Sequence, residues 1–287
     1  MIRMIEKLIE NKTKKIWVAQ FNTIGEFSNF ITKSPTNETF KPVKKLDSML
    51  KDEHSMKFTE TSNFDEAINL LANGWSNKAN EINRKLKASK MDATFKKQIA
   101  NVLDVAGYQP IVPLFLTGQP ACMVNKKQKL IKQKILTLVK PINYPSYVSS
   151  SKWTEEGIKA LQIVRSLEAN GYRVNVDVIR AGYGDYNNRY GVCCRVRVKH
   201  SNERLNISKL AFTMCHPSMQ RRLMFRFTET YDKVNEDFRY SYGHPFSYKS
   251  DFDLVTNPKN EFVLPLFFDK SFDASKVSNM EELKRMA

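Results

Sequence analysis

The 287-residue chain has only 4 cysteines, 10 glycines and 11 prolines. Four thiols are too few for a disulfide scaffold, and so little glycine and proline excludes a collagen-like or low-complexity chain. No apolar run approaches the roughly 20 residues that span a bilayer. The longest, residues 111–116, is short and contains Pro113. The opening Met-Ile-Arg-Met-Ile-Glu-Lys has no apolar stretch of signal-peptide length. A cytoplasmic protein with reduced thiols and no membrane contact is therefore expected. Phosphate-binding loops of the Gly-x-x-x-x-Gly-Lys-Ser/Thr and Gly-x-Gly-x-x-Gly types are absent, as is a Gly-x-Ser-x-Gly elbow. No Cys-x-x-Cys pair exists. Cys193 and Cys194 are neighbours on an expected strand, so they point to opposite faces, and Cys215-His216 lies far along the chain. These absences predict no cofactor, no metal and no catalytic residue.

What the chain has in excess is positive charge. Lys plus Arg number 46 against 30 Asp plus Glu, a formal net charge of +16. Residues 1–150 hold 24 basic and 13 acidic side chains; residues 151–287 hold 22 and 17. A surplus of this size attracts polyanions and speeds encounter with them. Three clusters supply candidate nucleic-acid contacts. Lys126, Lys127, Lys129, Lys132 and Lys134 form a dense run; Arg180, Tyr183, Arg189, Tyr190, Arg195 and Arg197 interleave around an expected hairpin; Arg221 and Arg222 adjoin on an expected helix. Arg with Tyr on a β surface suits phosphate contact and base stacking. The competing reading is an ordinary two-sided strand pair with solvated Arg and packed Tyr.

Periodicity gives the fold class, α/β (α+β overall). A mainly helical, basic region is expected over 1–125 and a three-layer α/β domain with a mixed sheet over 126–287. In the first region, residues 1–15 have helical spacing at Ile2, Ile5, Leu8 and Ile9. Residues 58–75 read as a helix capped by Asn63 and stopped by Asn73-Gly74. Residues 79–105 read as a long basic helix or helix pair, and 107–120 as a buried connector. In the second region, residues 135–139 read as a strand. A helix capped by Thr154 follows, ending at Asn170-Gly171. Residues 172–179 and 191–199 then alternate as an antiparallel pair. Helices from Asn206 or Ser208 and from Pro217 and a strand over 261–268 complete the order.

In open α/β sheets, sites form beyond the carboxyl ends of strands, which draws attention to the loop over 142–151. Strand, Ser-bearing loop, helix and antiparallel strand pair together resemble a degenerate von Willebrand factor A domain. That family places Asp-x-Ser-x-Ser here to bind a divalent metal. The Asp is absent, Asn143 is the nearest substitute, and Ser with Asn are weak ligands for a hard cation. Four stretches in order resemble an uncharacterised family encoded by bacteriophages and prophages, over roughly residues 58–230. They are Asn63-Phe64-Asp65-Glu66-Ala67 to Asn73-Gly74-Trp75, Val105-Ala106-Gly107-Tyr108 to Gly118-Gln119-Pro120, Gly171-Tyr172-Arg173-Val174, and His216-Pro217-Ser218 to Arg221-Arg222-Leu223. The resemblance implies a viral origin and supplies no activity.

Three functions stay open. The first is an accessory protein in the host cytoplasm that binds DNA or RNA largely without regard to sequence. The second is a virion or assembly protein contacting packaged DNA or an acidic protein partner. The third is an enzyme with an unrecognised site.

Overall fold

The computed structural model describes residues 4–41, 46–88, 99–128, 134–184, 187–238, 242–246 and 248–286. The chain opens with two strands, β1 (Met4–Glu10) and β2 (Lys15–Phe21), paired antiparallel. The side chain of Asn11 accepts from the backbone N–H of Lys14 at 2.8 Å and so holds the turn. Where a helix is expected over 1–15, residues 4–10 are thus a strand and 11–14 a turn, residues 1–3 lying outside the described residues. Ile5, Leu8 and Ile9 satisfy a helical period, but so short a run does not discriminate between periods, and the edge of β2 supplies a partner.

Four helices follow: α1 (Ile24–Lys33), α2 (Glu53–Thr59), α3 (Phe64–Asn73) and α4 (Ser76–Ala88). α3 forms as its caps dictate. Asn63 accepts from the Glu66 N–H, Asp65 and Glu66 occupy the first turn, and Gly74 ends it at φ +84°. Of the long basic helix or helix pair expected over 79–105, residues up to Ala88 are helical and residues 89–98 lie outside the described residues. Residues 99–104 are instead strand β3 (Ile99–Asp104) of a small sheet with β4 (Gln109–Pro110) and β5 (Met123–Gln128), in the order β3-β5-β4. A short helix, α5 (Val112–Leu116), sits at its tip. Val105, Tyr108, Val112, Phe115 and Leu116 are exposed there. The segment expected to be a buried connector is therefore an arm that leaves most of its large apolar residues exposed, with Ile111 and Leu114 partly covered.

The remainder is β6 (Ile135–Pro141), α6 (Ser150–Ala169), β7 (Arg173–Tyr183), β8 (Tyr190–Lys199) and α7 (Ile207–Cys215). A π-helical stretch over Met219–Met224 then runs into α8 (Phe225–Thr230), and β9 (His244–Pro245), α9 (Lys249–Val255), β10 (Glu261–Val263) and α10 (Met280–Met286) follow. The large sheet has the order β1-β2-β8-β7-β6-β10, with β9 added on β7. β7 runs antiparallel to β8, while β2–β8, β6–β7 and β10–β6 are parallel, so the sheet is mixed. The fold is α/β. No helix among the described residues is long and apolar enough to cross a membrane.

The pleat sorts side chains between two faces. Val174, Val176 and Val178 of β7, with Val192, Cys194 and Val196 of β8, meet the helices. Ile179, Ala181, Tyr183 and Cys193 face the other way, toward Phe246, Phe252 and Val255. The helical side is one continuous core. Phe21, Phe27, Phe64, Leu71 and Ile82 share it with Leu161, Val164, Phe212 and Leu223. The boundary expected at 125/126 does not separate two cores.

α6 is capped by Ser149, which accepts from the Lys152 N–H, and so begins a turn before the Thr154 cap the sequence suggested. Thr154 instead donates to the Cys215 carbonyl at 3.3 Å. Here α6 and α7 nearly touch: a Cβ on Gly157 would lie 2.5 Å from both Cys215 Sγ and the Met214 carbonyl oxygen.

Candidate functional site

The cations on the strands of the hairpin are committed inside the protein. Arg195 Nε donates to Asp177 Oδ2 at 2.6 Å, and its two Nη atoms grip Glu261 at 2.9 and 2.7 Å. Arg197 bonds the other oxygen of Asp177. Burial pushes the Glu261 carboxyl up, but the hydrogen bonds from Arg195 and the Asn257 N–H, with the charges of Arg195 and Arg197, together outweigh it and hold the group below its usual range. Tyr183 is buried, donating to Asp251 Oδ1 and accepting from Lys14 Nζ, each at 2.9 Å. Tyr190 is half-buried, with its hydroxyl on the Lys233 carbonyl at 2.5 Å. Arg189, at the turn, is exposed.

The cations after Pro217 fasten separate pieces of the N-terminal chain to the π-helical stretch. Arg222 is fully buried: it donates to Thr61 Oγ1 (2.7 Å) and to the carbonyls of Ser48 (3.0 Å), Leu50 (2.9 Å) and Thr61 (2.9 Å). Arg221 donates to the carbonyls of Phe58 (2.7 Å) and Val148 (2.9 Å) and lies 4.0 Å over the Phe58 ring. Arg226 reaches the Ile31 carbonyl. The neighbouring Glu229 accepts from the Ser48 hydroxyl and from Tyr242 at 2.7 Å. Burial raises its pKa despite these bonds.

The loop after β6 is locked by two side-chain amides. Asn143 accepts from the Ala181 N–H at 3.1 Å and donates to the Ala181 carbonyl, extending the pairing with β7 past the end of β6. Gln220 brackets Tyr144 in the same way, accepting at 3.0 Å and donating at 3.1 Å. The oxygen standing where the missing Asp would be is thus tied to backbone. Among the described residues no group of three or more His, Cys, Asp or Glu is placed to hold a metal.

Beyond the carboxyl ends of β6 and β7 lies a cavity of about 280 Å³. Arg180, Arg221, Phe58, Tyr144, Phe225 and Tyr242 line it, and among the described residues no acidic side chain does. Arg180 donates to Thr228 Oγ1 at 2.9 Å and to the Tyr242 carbonyl, and lies 5.4 Å from the Phe225 ring. A larger trench of about 820 Å³ adjoins it, walled by Pro141, Pro145, Tyr147, Phe246, Phe252 and Phe267. The strand-end rule points to this loop in the sequence. Nothing in the sequence assigned Phe58, Phe225 or Tyr242 to it, because they arrive from three distant segments.

The arm presents the opposite character. Lys126 is exposed, with Nζ 5.1 Å from the centre of the Tyr108 ring, itself 55% exposed. Lys134 is exposed at the foot of β6. Lys127 pairs with Ala100 through its backbone. Its side chain, and all of Lys129 and Lys132, lie outside the described residues. Of the sequence candidates, the exposed ones described are Lys126, Lys134 and Arg189; the expected Arg–Tyr face of the hairpin lies within the large sheet.

No curated protein and no solved structure matches the chain. One family model, described as a domain of unknown function (DUF7192), matches residues 7–286. With nearly its whole length matched, the chain belongs to the DUF7192 family.

Proposed function

We propose that the protein binds nucleic acid through the β3–β5 arm and the basic run that follows it, with little regard to sequence. The observation that carries this reading is the exposed Lys126–Tyr108 pair on that arm. It joins a phosphate-binding cation to a ring on which a base can stack. Lys127, Lys129, Lys132 and Lys134 follow within eight residues, and the first 150 residues carry more than twice the net positive charge of the rest.

The resemblance to bacteriophage proteins supports a phage-encoded accessory protein acting in the host cytoplasm. The succession of β6, a Ser-bearing loop, α6 and the antiparallel β7–β8 pair supports reading the C-terminal part as a degenerate von Willebrand A-like domain, without its metal-binding carboxylate.

The test is binding of labelled single strands and duplexes across a salt series. Each phosphate contacted should contribute about −0.7 to −0.9 to the log–log slope. Lys126→Ala should weaken all sequences alike and flatten the slope, whereas Tyr108→Ala should cost single strands about 1–3 kcal/mol per stacked base. Absence of binding near physiological salt would refute the reading.

A second reading rests on the arm's tip. Val105, Val112, Phe115 and Leu116 are each more than half exposed, and apolar groups clustered in that way suit a protein contact. This favours a virion or assembly role, which detection of the protein in purified particles would support.

A further inference from the structure

The cavity beyond β6 and β7 holds two cations that form no ion pair among the described residues, Glu60 acting on Arg221 only from a distance. Arg180 is 7% exposed and Arg221 3%. Neither has a carboxylate within ion-pair distance among the described residues, whereas Arg195 and Arg197 have theirs. Their partners are neutral: Thr228 Oγ1 and the Tyr242 carbonyl for Arg180, and the Phe58, Ser146 and Val148 carbonyls for Arg221. The Nε of Arg221 is buried with no acceptor among the described residues. A buried charge of this kind is costly unless an opposite charge joins it. Burial accordingly lowers both guanidinium groups to about 10.

The walls are flat and fixed. Tyr242 stacks on Phe225 at 4.1 Å with ring planes 7° apart, and its hydroxyl is tied to Glu229. Its backbone is held at φ +52°, a conformation non-glycine residues adopt only under constraint from their surroundings. Asn143 and Gln220 lock the floor. Two guanidinium groups match the oxygens of a phosphate, and the aromatic lining of Phe58, Tyr144, Phe225 and Tyr242 gives apolar surface and ring edges to a base beside it. At about 280 Å³ the space is at the small end of ligand pockets, which suits one nucleotide and no more.

We propose that this cavity is a phosphomonoester site that takes a single nucleotide, either free or at the 5′ end of a strand. The site is separate from the arm and does not rest on the arm's reading.

Thermal unfolding of the full chain with deoxyadenosine monophosphate tests it. The midpoint should rise by about 2–4 °C once the nucleotide exceeds its Kd about fivefold. Deoxyadenosine, lacking the phosphate, should give no rise. Ser146→Glu puts a negative charge at the rim, on an exposed residue. By supplying the missing opposite charge it should keep or raise the ligand-free midpoint and abolish the further rise with nucleotide; Arg180→Lys should reduce that rise. A further arm uses the Lys126→Ala/Tyr108→Ala protein with 5′-phosphorylated and 5′-hydroxyl oligonucleotides. Phosphate-dependent binding there identifies the strand end, and a rise with the mononucleotide alone identifies the free nucleotide. No rise with the mononucleotide and no 5′-phosphate dependence, or an equal response in wild type and Ser146→Glu, would overturn the proposal. Failure of the arm substitutions to affect long strands would leave this result untouched.

Discussion

Two antiparallel strand pairs, β7–β8 and β3–β5, both carry basic and aromatic residues, and the fold treats them in opposite ways. β7–β8 lies in the middle of the large sheet, with β2 and β6 on its flanks. Its cations therefore had to find partners inside, and Asp177 and Glu261 receive Arg195 and Arg197. β3–β5 belongs to a three-stranded sheet of its own, and Lys126 there lies over an exposed ring. The difference teaches that a charge count sets how strongly a chain attracts anions but not where. Placement follows from which strands acquire neighbours. Side-chain type is a further clue: the described buried positions favour Arg, whose fork satisfies several carbonyls at once, while the arm carries Lys.

The comparison breaks if interior and arm cations prove interchangeable. Arg222→Ala removes four hydrogen bonds and leaves the Ser48, Leu50 and Thr61 carbonyls without that donor. It should cost about 3–5 kcal/mol in denaturant unfolding. Lys126→Ala should change stability by no more than about 0.5 kcal/mol, as surface substitutions do. Equal effects would show that the interior network is not what fastens the N-terminal chain.

A smaller effect is expected from pH. His216 is buried against Trp75 and Phe212, and its Nδ1 accepts from the Ser218 N–H at 3.1 Å. Burial lowers its pKa to about 4, with Glu66 opposing weakly. Between pH 6.5 and 4 the unfolded chain binds a proton that the folded chain refuses, so stability should fall as pH falls through that window, by about 3 kcal/mol in all. His216→Gln should remove that part of the slope while the arm substitutions leave it intact. Identical pH profiles for wild type and His216→Gln would contradict this.

Smaller again is the effect of packing. Gly157→Ala would push a methyl into Cys215 Sγ and the Met214 carbonyl and should cost about 1–3 kcal/mol. A neutral result would mean that α6 and α7 can part easily, weakening the contrast between a tight interior and an open arm.

Much of the interior was legible because its signals are local. Asn63 and Gly74 bracket α3, and alternation marked β7 and β8 as an antiparallel pair. The strand-end rule chose the loop that now borders the cavity. What escaped depended on distant partners. β1 has the spacing of a helix and became a strand because β2 offered an edge. Residues 99–104 took strand form through their register with 123–128. The fate of Arg195 turned on Glu261, 66 residues away, and no local pattern in the sequence joins them. The apolar tip near Phe115 read as buried for the simple reason that apolar residues usually are.

The central claim is that the arm, and not the hairpin, meets nucleic acid. The most direct measurement is the salt dependence of single-strand binding in wild type, Lys126→Ala and Arg197→Lys. Arg197→Lys keeps the charge beside Asp177 in the large sheet. The account predicts a shallower slope and weaker binding for Lys126→Ala, with Arg197→Lys indistinguishable from wild type. Loss of binding in Arg197→Lys with Lys126→Ala unchanged would contradict it.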